Sequence, residues 1–117
     1  MTLLGSLYTL LSNEYEKVYT EEVPQNVPLL SPIPIVLLTH DSSEPIANKD
    51  FAIHDIDRFR IHIIGSDYLE VMKRKDQIRY FLNAKEIENK IIHYEQSLTI
   101  DDTELGMKRM IIDFTTE

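Results

Sequence analysis

The chain has 117 residues, 43% hydrophobic and 27% charged, with no cysteine. That length predicts one domain over residues 1–117, and the lack of thiols excludes disulfide staples and thiolate metal sites. Carboxylates outnumber Lys and Arg by 20 to 12, a formal charge of −8, which argues against a duplex-binding surface because such affinity comes mostly from cations neutralising phosphates.

Residues 3–17 read as a first helix. Leu3, Leu4, Leu7, Leu10 and Leu11 form a stripe at three- and four-residue spacing, which Gly5 weakens modestly. This segment is apolar early but has no basic n-region and no small-residue cleavage site, so a secretory signal is not expected. No apolar run approaches the ~20 residues needed to span a bilayer. Synthesis in the cytoplasm, with no membrane partner, is the expectation.

The character changes at about residues 21–34, where Pro24, Pro28, Pro32 and Pro34 supply four of the five prolines. Proline removes a donor and fixes φ, so the segment is predicted to be an extended arm. Its Val27, Leu29, Leu30 and Ile33 are costly to leave in water. They pack either on their own domain or on a neighbouring subunit. Residues 35–38 read as a short strand. Residues 39–52, rich in Asp, Ser, Asn and Pro, read as a loop.

The central unit is clearest. Phe59, Ile61 and Ile63 alternate with Arg58, Arg60 and His62, the period of a half-buried strand. At Gly65-Ser66-Asp67 the period changes. Val71, Ile78 and Leu82 then recur at helical spacing, widened by Tyr68, Met72 and Phe81, with the charged run 73–76 on the outer face. Asn83-Ala84-Lys85 closes this helix. The last third reads as a hairpin of residues 90–98 and 107–116. Its loop, residues 99–106, carries Asp101, Asp102, Glu104, Leu105 and Gly106. The prediction is an α+β domain in the order α-β-β-α-β-β, an antiparallel sheet of about four strands with two helices on one face.

Catalytic patterns are weak. His40-Asp41, His54-Asp55-Ile56-Asp57 and His62 offer groups suited to hard or borderline metals, but no His pair at i, i+4 accompanies them, and polar loops of this composition are commoner than metal sites. Ser42 and Ser43 follow His40, but there are three glycines in all and no Gly-x-Ser-x-Gly turn. Glycine-rich phosphate loops are equally missing. Paired carboxylates at Glu21-Glu22 and Asp101-Asp102 read as solvated turn residues. No enzyme activity, metal or cofactor is expected.

Three stretches carry a family resemblance: FRIHIIGSDYLEVMKRKDQIRYFL, the closing hairpin with its Asp-Asp…Gly loop, and the final strand KRMIIDFTT. With the leading helix and extended arm, they make residues 3–115 resemble the tail-terminator (tail-completion) proteins of long-tailed bacteriophages. The arm is richer in proline than that family's pattern, and residues 39–52 do not follow it. The resemblance implies a structural virion protein of the tail or neck that forms a homo-oligomer, typically a hexameric ring. It implies that the ring caps the tail tube protein, stops its polymerisation and meets the head–tail connector, while DNA passes through without specific binding. Carboxylates lining such a bore would repel the passing DNA. On this reading Val27, Leu29, Leu30, Ile33, Asp101, Asp102, Glu104 and Leu105 are candidate subunit or tube contacts. Two other readings stay open beside it: a head–tail joining protein of the neck, and a cytoplasmic α+β ligand-binding or regulatory domain.

Overall fold

The computed structural model describes residues 3–29, 33–48, 51–102 and 106–116, and the side chains of these except at 41–57 and 101–102. The element order is α1 (Leu3–Glu14), β1 (Val18–Thr20), β2 (Ile35–Asn48), β3 (Phe51–Gly65), α2 (Tyr68–Leu82), β4 (Glu86–Ile87), β5 (Lys90–Asp102) and β6 (Met107–Thr116). The α+β class and the two helices match the prediction. The strand number and order do not. The described residues form six strands, in the sheet order β1-β2-β3-β6-β5-β4.

The two extra strands are too short to show a period. β1, three residues long, exists because it pairs in parallel with β2, Val18 opposite Val36 and Thr20 opposite Leu38. The predicted first helix, 3–17, ends three residues early at Glu14, and β1 begins just past its predicted end. β4, two residues long, pairs with the start of β5 around a two-residue turn at Glu88 and Asn89. Both turn residues have positive φ, 53° and 63°, the geometry that matches the twist of a tight hairpin.

A larger correction falls at residues 39–52. β2 continues through Asn48 and β3 begins at Phe51, paired antiparallel from Ile35 opposite Ile64 out to Asn48 opposite Phe51. Register shifts interrupt this ladder between His40 and Ser42 and between Ile46 and Asn48. Turn-forming residues extend the strand here because cross-strand hydrogen bonds satisfy their backbone, and bulges absorb the misfit. β6 pairs with β3 only from Gly65 to Arg58. Outboard of Arg58 the β2–β3 pair is therefore a two-stranded ribbon. The molecule measures 53 × 26 × 26 Å.

The core lies on one face of the sheet. Val36 and Leu38 of β2, Phe59, Ile61 and Ile63 of β3, Ile92 of β5, and Met110, Ile112 and Phe114 of β6 cluster with Leu7 and Leu11 of α1 and Val71, Ile78 and Leu82 of α2. The alternation predicted for β3 is met, and the α2 stripe points inward as predicted. Asp67 starts α2, its Oδ1 accepting from the amides of Leu69 and Glu70 at 3.0 and 3.4 Å. Asn83 ends it in extended conformation, and Ala84 takes the left-handed turn at φ 65°. The Asn83 Oδ1 also accepts the Tyr94 amide at 3.1 Å, tying the helix end to β5.

Candidate functional site

Residues one step out of phase with the core form the opposite, helix-free face of the sheet. Three strands there set a polar row. The Arg60 Nε donates to Asp113 Oδ1 at 2.7 Å, its Nη2 to Oδ2 at 3.3 Å, and the Gln96 amide donates to Oδ2 at 2.8 Å. Burial pushes the Asp113 carboxyl up, but these donors and the charge of Arg60 outweigh it and hold the carboxyl below its usual range. One row along, burial lowers the His62 imidazole, and the cations of Arg109 and Arg60 lower it further against the opposing pull of Asp113. His62 Nδ1 and Arg109 Nε are buried without a hydrogen-bond partner. The arrangement joins β3, β5 and β6 across the sheet. Three donors on its oxygens and a lowered carboxyl make Asp113 a weak proton acceptor.

The predicted metal candidates are not brought into a describable cluster. Among the described residues no three His, Asp or Glu side chains converge to hold an ion. His40 is exposed at the base of the ribbon. The side chains of Asp41, Ser42, Ser43, His54, Asp55 and Asp57 lie outside the described residues, and His62 is engaged as above.

The predicted arm folds back over the helix-free face. Val23, Pro24, Val27 and Leu29 border one cleft with Leu37, Ile64 and Arg109. Ile35 and Ile64, out of phase with the core, are nonetheless buried. Val27 is half-buried, while Leu29 and Ile33 remain 36% and 41% exposed. Leu30 lies outside the described residues, as do Glu104 and Leu105. Asp101 and Asp102 belong to the end of β5, opposite Lys108 and Met107, and not to the predicted loop. Ile35 pairs with Ile64, Ile64 with Arg109, and Arg109 with Ile100. The arm's end and the β5–β6 turn therefore sit at the same end of the sheet, separated by β3 and β6. The ribbon projects from the other end.

Two surfaces escaped the sequence reading. On the outer side of α2, Leu69, Met72, Lys73, Asp76, Gln77 and Tyr80 line a shallow groove, with Leu69 69% and Tyr80 85% exposed. Tyr68, predicted to widen the core stripe, is exposed as well. The charged run splits: Lys73 faces water, while Arg74 stacks 4.6 Å from the Tyr15 ring centre. On the helix-free face, Leu98 and Ile100 of β5 are more than two-fifths exposed. The available signal was positional: Leu69 and Tyr80 fall outside the Val71, Ile78, Leu82 stripe.

No family model matches the sequence, and no curated protein matches it. Among solved structures, the fold is similar to a chain described as "Virion of native gene transfer agent (GTA) particle". The TM-score is 0.73 at 14% identity, covering 97% of this chain and 92% of that one. The likeness shows a shared fold from end to end. Among the described residues no helix is long and apolar enough to cross a membrane.

Proposed function

We propose that this chain is a structural, non-catalytic component of a phage-like virion and acts as the ring subunit that terminates a tail tube. The observation carrying this reading is the end-to-end fold likeness to a chain of a gene transfer agent virion. The tail-terminator resemblance of the central strand–helix unit and closing hairpin points the same way. The surfaces support it: exposed apolar side chains lie on α2, on β5 and at Leu29 and Ile33.

The mechanism is capping. A tube grows because each ring offers the next an interface it can repeat. A terminator matches the tube end on one face and differs on the other, so propagation of the heterologous contact stops. The free face then meets the head connector. Leu29 and Ile33, at the same end of the sheet as the close of β5, are the proposed tube or connector contacts.

An early stop codon in this reading frame, with particles viewed by electron microscopy, tests the proposal. Tail tubes of abnormal length, unattached to heads, are expected. Normal-length tails beside filled, tailless heads would instead assign the chain to head–tail joining. Intact infectious particles would reject a virion role.

A further inference from the structure

We infer that two copies of this chain associate edge to edge through β5, the two strands pairing antiparallel about a twofold axis at Thr99. Such a contact closes at two copies and builds no ring. It is a separate interface and does not rest on the terminator reading.

The edge opens where the segment around β4 stops covering it. The Ala84 amide donates to the Ile92 carbonyl at 2.8 Å, the Ile92 amide to the Lys85 carbonyl at 2.9 Å, and the Tyr94 amide to Asn83 Oδ1 at 3.1 Å. Among the described residues β5 meets only β6, β4 and α2, and β4 pairs no further along it than Ile91. From Glu95 to Asp102 the outer edge is therefore uncovered. Ile92 and Tyr94 turn their amides away from β6. Backbone direction alternates along an antiparallel strand, and the bulge between Tyr94 and Gln96 adds one residue to the count. Ser97, Thr99 and Asp101 thus present their amides and carbonyls on the open side, while Leu98 and Ile100 bond to β6. An open edge is a template for another strand, and charge or proline usually blunts it. Residues 96–100 carry neither.

The strand that fits this edge is the edge itself. About Thr99 the sequence reads Ser-Leu-Thr-Ile-Asp, alike in character in both directions. Antiparallel pairing about that centre sets Thr99 opposite the partner's Thr99, Ser97 opposite the partner's Asp101, and Leu98 opposite the partner's Ile100. The Thr99 and Ser97–Asp101 positions exchange about six backbone hydrogen bonds between them. Leu98 and Ile100 fall at the closer, non-bonded positions, where side chains pack best. They are 43% and 46% exposed in one chain, and both lie on the helix-free face, so pairing gathers two aliphatic side chains from each copy into one patch. No two acidic residues come opposite each other: Asp102 meets the partner's Gln96, and Glu95 falls beyond the paired residues. The other edge of the sheet matches less well. β1 offers three residues, followed by Glu21 and Glu22. β2 beyond Leu38 is interrupted by two register shifts and by Pro45, which has no amide to donate.

Amide hydrogen exchange, followed by nuclear magnetic resonance across a concentration series, reads this contact directly. The amides of Ser97, Thr99 and Asp101 are expected to exchange fast in dilute protein and about tenfold more slowly once it self-associates. Those of Leu98 and Ile100, already bonded to β6, should change less. Leu98→Glu and Ile100→Lys should each weaken self-association about tenfold in sedimentation equilibrium, with circular dichroism unchanged because both side chains are exposed. The double variant should restore it, since each Glu then faces a Lys of the partner. The chain has no cysteine, so a new thiol can be read without background. Thr99→Cys should give a disulfide-linked dimer under mild oxidation, because a bonded antiparallel pair holds its Cα atoms about 5.5 Å apart, within disulfide reach. Asn13→Cys, exposed near the end of α1, should not. A monomer at concentrations up to about 1 mM, or self-association that leaves the three amides and both single variants unaffected, would overturn the inference. Neither result bears on the stop-codon particles, which test the terminator reading alone.

Discussion

Replacing Phe114 with alanine tests the register on which the whole core depends. The side chain is fully buried in β6. It stacks on Phe59 of β3, ring centres 5.2 Å apart and 14° from parallel. It meets the Tyr94 ring edge-on at 6.1 Å on the other side. Both partners are direct cross-strand neighbours of Phe114, so one ring bridges three strands. Truncation removes a large buried area and leaves a cavity that flanking strands cannot close, a cost of about 3–5 kcal/mol. Set against a typical domain stability of about 5–15 kcal/mol, this leaves a folded but weakened protein. Urea unfolding followed by far-ultraviolet circular dichroism reads the effect. With a slope of about 1.5 kcal/mol per molar, the midpoint falls by about 2–3 M. Phe114→Leu, which keeps most of the volume, costs under about 1.5 kcal/mol. A double-mutant cycle with Phe59→Leu should return a coupling of about 0.5–1.5 kcal/mol. A Phe114→Ala loss below about 1 kcal/mol, or zero coupling, would refute the placement of these rings opposite each other.

Other outcomes follow from local geometry. Asp67→Ala removes the acceptor for two amides at the start of α2 and should cost about 1 kcal/mol in the same assay, with Asp67→Asn close to neutral. Ala84→Gly should stabilise by about 0.5–1 kcal/mol, because Ala84 is exposed and holds φ 65°, where a Cβ is unfavourable. The Asp113 carboxyl is lowered in the fold, so its contribution is present above the unfolded carboxylate value and is lost as pH falls through the folded one. Asp113→Asn should cost about 1 kcal/mol at neutral pH, after allowing for the partial exposure of Arg60, and should flatten stability against pH in the acid range. His62 is also lowered, so the fold favours its neutral form. Stability is full above about pH 6.5, the unfolded value, and declines as pH falls below it; His62→Leu should remove that slope, and a slope of unchanged size would refute the burial argument.

The sequence by itself determined the elements whose pattern is long enough to repeat. Leu7 and Leu11 mark the buried side of α1. Phe59, Ile61 and Ile63 mark that of β3, and Val71, Ile78 and Leu82 that of α2. These side chains must leave water together, and their spacing fixes the period of the backbone that carries them. The bounds of α2, at Gly65-Ser66-Asp67 and Asn83-Ala84-Lys85, were legible for a related reason, since helix ends are set within one turn of their own helix, although the capping role of Asp67 emerged only from the structure. Tertiary structure alone decided the rest. β1 and β4 are strands only because partners lie beside them, and β2 runs through Asp, Ser and Pro to Asn48 because β3 supplies its hydrogen bonds. Leu69 and Tyr80 became a surface only once Val71, Ile78 and Leu82 had turned inward, because which apolar groups remain uncovered depends on everything packed around them.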